Sequence, residues 1–203
     1  MTNRPGADKK ALAAARTALL ARLGEAHVAP VVALADRLAA ERGLSAGAVP
    51  YPDPDGAGVH ARVLFLLNDP GSGALEGSGG TGLLSLRNAD QTTYKQVRAI
   101  RDSGFDPRVA LYWNGIPWPV HAEERNAQVA PASLALLSLL DLLDDLRGVV
   151  MLGEYAHKVW VAVNARTDRF RGLAQVHSKH PARSSNADLL AAYRKARDIA
   201  AIR

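Results

Sequence analysis

The sequence predicts an α/β protein: a three-layer α/β/α arrangement with a central four-stranded parallel sheet, preceded by a pair of helices. Three observations predict it. The apolar runs Val63-Leu64-Phe65-Leu66-Leu67 and Gly148-Val149-Val150-Met151-Leu152 have the length and continuity of strands buried on both faces. Stretches with apolar residues three and four apart alternate with such runs and read as helices. The length of 203 residues, 48% of them hydrophobic, suffices for one well-buried domain and is too short for two large ones.

Residues 8–24 and 29–43 are rich in Ala, Leu, Arg and Glu with helical spacing, which predicts an N-terminal helical pair within residues 1–45. From Gly43 to Gly58, Pro50, Pro52 and Pro54 predict a loop, because proline continues neither a helix nor a central strand. A first strand follows over 62–67, then a glycine-rich loop from Gly71 to about Thr92, a helix over 93–103 and a strand over 108–113. A loop from Asn114 to Pro131 leads to an apolar helix ending near Leu146, a strand over 148–152 and a helix over 154–163. A fourth strand over 173–177 and a last helix over 187–202 complete one domain, residues 1–203, with its core at 60–190. No internal repeat is visible.

No run approaches the roughly 18 apolar residues of a membrane span. The N-terminus lacks the pattern of a secretory signal, and Asp8 and Glu25 speak against a transit peptide, so a cytoplasmic protein is expected. The absence of cysteine excludes disulfides, thiolate catalysis, thiolate zinc sites and cysteine-bound iron–sulfur clusters. The formal charge is +5, and residues 166–203 carry nine Lys/Arg against three Asp/Glu. That excess fits either a basic face for a polyanion such as nucleic acid or a solvated C-terminal helix.

In open parallel sheets, ligands bind where loops leave the carboxyl ends of the strands. Asp69, Asn114, Gly153-Glu154 and His180 all follow predicted strands, which places them at one edge and predicts a cleft. Alone, Asn68-Asp69-Pro70-Gly71 is a good turn sequence. An acid at the mouth of a central strand is nonetheless costly to desolvate without a task or a partner. His180 is flanked by Lys179, Arg183 and the small donors Ser178, Ser184 and Ser185, a loop suited to phosphates with one imidazole turned inward. Asn114 is either a turn cap or an amide that reads a pyrimidine edge with one donor and one acceptor.

Gly77-Ser78-Gly79-Gly80-Thr81-Gly82 matches GxGxxG, but the strand ends ten residues earlier and no helix opens on it. A flexible loop over the cleft is expected instead. His27, His60 and His121 read as surface residues and His157 as lying on a helix near the cleft. Turn chemistry accounts for Asp53 and Asp55, so no metal is assigned.

Taken together, these motifs resemble the uracil-DNA glycosylase superfamily over about residues 60–190. Asn68-Asp69-Pro70-Gly71 looks like a hybrid of two branch motifs, and Leu111-Tyr112-Trp113-Asn114 resembles the strand carrying the pyrimidine-reading Asn. Met151-Leu152-Gly153-Glu154-Tyr155-Ala156 is similar to the family's strand and helix start. His180-Pro181-Ala182-Arg183-Ser184-Ser185-Asn186 looks like its His-Pro motif and minor-groove loop. The resemblance implies a monofunctional, cofactor-free DNA glycosylase acting as a monomer on a flipped nucleotide. Asp69, His180 and Asn68 would be catalytic, and Gly71 and Asn114 would bind the base. The usual stacking aromatic is not evident in the glycine loop, which leaves Trp113 and Trp118 for that task. Lys179, Arg183, Ser184, Ser185 and Asn186 would contact DNA. Glycine at 71, where the uracil-specific branch has a tyrosine, implies room for a 5-substituted or hypermodified pyrimidine, as in anti-phage defence. Alternatives are a conventional uracil or mismatch repair glycosylase and a non-catalytic binder of modified bases. A nucleotide-binding or hydrolase domain using the glycine loop is a third reading.

Overall fold

The computed structural model describes residues 9–202. Two N-terminal helices, α1 (Lys9–Leu20) and α2 (Ala29–Glu41), precede a two-residue strand β1 (Tyr51–Pro52) and the central strand β2 (Val63–Leu67). The expected start of the first helix at residue 8 lies outside the described residues. Next come β3 (Leu83–Leu84), α3 (Gln91–Ser103), β4 (Ala110–Asn114) and α4 (Arg125–Leu140). The chain ends with β5 (Gly148–Leu152), α5 (Glu154–Asn164), β6 (Ala174–Ser178) and α6 (Asn186–Ala200).

The main sheet has the order β4-β2-β5-β6 and is parallel throughout. Alternation along each strand sorts its side chains into two layers. Leu64, Leu66, Leu111, Trp113, Val149 and Met151 face α2, α4 and α5. Val63, Phe65, Ala110, Val150, Leu152 and Val176 face α3 and α6. The inner strands β2 and β5 are covered on both faces and are therefore unbroken apolar runs, whereas the edge strand β6 leaves Gln175 and His177 exposed. From β2 the chain passes to β4 on one side, then crosses to β5 on the other. The segment after β2 leads to α3 on one face of the sheet and the turn after β5 leads to α5 on the other, and ligand sites of open parallel sheets lie at such carboxyl ends.

Two expectations are corrected. The helix after the Pro/Trp loop begins at Arg125, so Pro131 lies inside it. Pro131 removes one helical hydrogen bond, but Ala132, Ala135, Leu136, Leu139 and Leu140 bury the same helix against the sheet and α5. The glycine-rich segment, expected as a loop throughout, contains a short strand and its own hydrogen bonds and forms a wall. β3 pairs in parallel with β1, Thr81 N–H donates to Gly73 O, and Thr81 Oγ1 donates to Asn88 Oδ1 at 2.7 Å. A Cβ at Gly80 would lie 2.4 Å from Ser72 O, so this close backbone approach requires glycine there.

The basic C-terminal run also divides in space. Arg169 pairs with Asp141 and Arg171 with Asp168, ahead of β6, whereas Lys179 and Arg183 follow it. A five-residue strand separates the two groups, about 16 Å at the usual rise. Among the described residues, no helix is long and apolar enough to cross a membrane.

Candidate active site

The strand register brings the first two site residues together. Leu67 is the register partner of Asn114, and Gly115 N–H and Ile116 N–H donate to Leu67 O and Asn68 O at 2.7 and 2.9 Å. Asp69, two residues past Leu67, therefore emerges beside the end of β4. Its side chain is only 11% exposed and accepts from Arg125 Nη2 at 2.8 Å. Asn114 is 2% exposed and its Oδ1 has no hydrogen-bond partner.

His180 arrives from β6, two strands away from β2, because its loop folds back toward α3. Lys95 Nζ on α3 donates to Ala182 O at 3.2 Å and to Ser184 O at 3.0 Å, and Arg183 and Ser184 N–H donate to His180 O. Burial pushes the imidazole below its ordinary value. The Asp69 and Asp90 carboxylates work against this shift, and the Arg183 and Arg125 guanidiniums add to it. Nδ1 accepts from Ala182 N–H at 3.4 Å, so in the neutral ring Nε2 carries the proton. A neutral donor results.

Asp69, Gly71, Asn114 and His180 all line one cavity of about 310 Å³, within the range of small-molecule sites. The wall segments Gly71–Ala74 and Leu84–Leu86 and the start of α3, with Asp90 and Thr93, complete it. A Cβ at Gly71 would meet nothing within 4 Å, so this position opens into free space. Leu84, Leu86 and Tyr112 also border a neighbouring cavity of about 360 Å³ beside β4.

Several sequence expectations are redirected. Trp113 and Trp118 are absent from the cavity lining. Trp113 is fully buried on the opposite face of β4, while Trp118 lies under Arg42, whose guanidinium is 3.2 Å from the ring centroid, and donates to Gln128. Asn68 serves the fold: its Oδ1 accepts from Tyr155 and Ala156 N–H at 2.9 and 3.2 Å and satisfies the first turn of α5. Ser184 is buried and donates to Lys179 O, and Ser185 caps α6 by accepting from Asp188 N–H. Both hydroxyl groups are engaged by the protein's own backbone. Lys179, Arg183 and Asn186 are exposed and are absent from the cavity lining, although His180 and Ala182 of the same segment belong to it. His157 stacks on His177, with ring centroids 4.4 Å apart, rather than lining the cavity.

The sequence reading missed Tyr112, Gln96, Lys95 and Arg125. Tyr112 supplies the cavity's aromatic side chain, stacked on Phe65 at 4.9 Å. Its hydroxyl meets that of Tyr193, which accepts from Gln96, itself a lining residue. Strand alternation carries a signal for Tyr112: residues 112 and 114 share a face and residue 113 takes the other. Arg125 and Lys95 carry no local signal, because their partners lie far along the chain. No protein-family model matches the chain, and a search of curated proteins finds no significant match.

Proposed function

We propose that the chain is a DNA glycosylase of the uracil-DNA glycosylase type that excises a pyrimidine, a 5-substituted one in preference to plain uracil. One observation carries this reading: Asn114, whose buried Oδ1 has no partner, lines the same cavity as Asp69 and His180. An unpaired buried acceptor calls for a donor, and a pyrimidine edge carries an N–H.

A base inside a duplex is out of reach, so the nucleotide is flipped at a cost of about a few kcal/mol. Asn114 and the Tyr112 wall then receive the base. The bond between C1′ and the base nitrogen breaks with its electron pair leaving on the base. Asp69 stabilises the positive charge that develops on the sugar and orients water, a role worth about 10²–10⁴ in rate. His180, donating through Nε2, meets the negative charge on the base oxygen, comparable to an oxyanion donor worth about 3–4 kcal/mol. Water oxygen bonds to C1′, its proton leaves, and an abasic site remains. Among the described residues lining the cavity there is no lysine, which supports hydrolysis without a covalent imine.

The open space at Gly71 supports a base with a substituent at carbon 5. Lys179 and Arg183 would hold phosphates. The Asp69–Arg125 pair favours one second reading, a modified-base binder whose acid is neutralised by its partner. Duplex and single-stranded DNAs carrying uracil, mismatched thymine or bulky 5-substituted cytosines separate the readings. Alkali-labile abasic sites are expected, most with the bulky bases; salt-sensitive binding without abasic product would favour the binder.

A further inference from the structure

We propose that Arg125 is a positioning residue for Asp69, fixing the carboxylate in the orientation the reaction needs; this rests on the glycosylase reading above. The guanidinium takes Oδ2 at 2.8 Å, while Oδ1 accepts no hydrogen bond among the described residues. One oxygen is thus tied back and the other is left for sugar or water. The tie is specific. Asp69 makes no second salt bridge among the described residues, and Arg125 makes none except this one.

The scaffold fixes Arg125 as well. It is the first residue of α4, and its guanidinium lies 5.7 Å from the ring of Tyr155, the second residue of α5. α4 and α5 pack along their length, and the N-terminus of α5 is itself joined through Asn68 to the turn bearing Asp69. Asp69 is therefore located from two directions, by its own backbone turn and by a cation mounted on the opposite helix. Arg125 Nε is buried without a partner. A side chain placed only for stability would more readily satisfy that donor; here the geometry favours the single contact to Asp69.

The test compares Arg125→Gln, Arg125→Lys and Arg125→Ala with the wild-type chain in single-turnover base release, DNA affinity and thermal melting. Misplacing a reacting group by about 1 Å costs about 100-fold in rate. Arg125→Gln is expected to slow release by about 10- to 100-fold while DNA affinity changes less than about twofold. Arg125→Lys and free guanidinium added to Arg125→Ala are expected to restore part of the rate. The melting temperature is expected to fall with Arg125→Gln in the wild-type background and much less in an Asp69→Asn background.

An unchanged or faster rate in Arg125→Gln would overturn the proposal. So would an affinity loss as large as the rate loss, which would make Arg125 a phosphate contact, or an equal melting loss in both backgrounds. If the wild-type chain releases no base from any DNA, the glycosylase reading and the catalytic consequence fall together. The melting comparison still judges the pairing by itself.

Discussion

Asn68 occupies the space that a side chain on Gly153 would need: a Cβ at 153 would lie 2.4 Å from Asn68 Oδ1. The same oxygen accepts two N–H groups at the start of α5, and Gly153 has a φ of +131°, a conformation that side chains rarely adopt. The turn after β2 and the turn after β5 are thereby built as one unit, and Asp69 is mounted on it.

Gly153→Ala is expected to destabilise the fold by about 2–4 kcal/mol, from backbone strain and displaced hydrogen bonds. Asn68→Ala alone loses two hydrogen bonds but removes the clash. The double variant is therefore expected to lose less than the sum of the singles. Denaturant midpoints of the three proteins measure this coupling, and strict additivity would contradict the shared turn.

The lowered titration of His180 fixes a pH dependence. An unfolded imidazole takes up a proton near pH 6.5, whereas burial holds the folded group below that value. The unfolded state then binds more protons, so stability is complete above about pH 6.5 and falls as pH drops through that range toward the folded value. His177, also lowered by desolvation and by His157, adds in the same direction but is exposed and contributes less. Denaturation midpoints between pH 7.5 and 5 are expected to decline in the wild-type protein and to flatten with His180→Gln.

Gly71→Tyr is expected to fold with near wild-type stability, since nothing lies within 4 Å of its Cβ position. It is expected to block bulky pyrimidines while sparing small ones. Relative excision rates for uracil and a bulky 5-substituted cytosine test this, and an equal loss on both would sink the assignment of residue 71 to base selection.

The basic loop separates into two classes of residue. Lys179→Ala and Arg183→Ala are expected to weaken DNA binding across sequences and to reduce the salt slope by about one each, with little change in melting. Ser184→Ala is expected to lower stability by about 1 kcal/mol, because its buried hydroxyl donates to Lys179 O. Salt titrations and melting curves distinguish the two classes.

The inner strands of the main sheet were legible because burial on both faces leaves uninterrupted apolar runs, at 63–67 and 148–152. Asp69 and Asn114 were legible because they stand just past apolar runs, whereas His180 follows the mixed strand Ala174–Ser178 and was legible from the polar loop around it. β1 and β3 were not, since two-residue strands, one containing Pro52 and the other following Gly82, have no periodicity to read. Trp113 was assigned to stacking because the glycine loop has no aromatic residue, but strand parity turns it to the face opposite Tyr112 and Asn114. Arg125 was invisible for a different reason: it sits 56 residues from Asp69, and only packing of α4 beside the β2 turn creates the pair.

The most direct test of the account is single-turnover base release from DNA carrying a 5-substituted pyrimidine, measured with wild-type, Asp69→Asn and His180→Ala proteins at matched DNA occupancy. The account predicts release by the wild-type chain and rates lower by about 10²–10⁴ in each variant, with DNA affinity retained. Undiminished release by Asp69→Asn would contradict it.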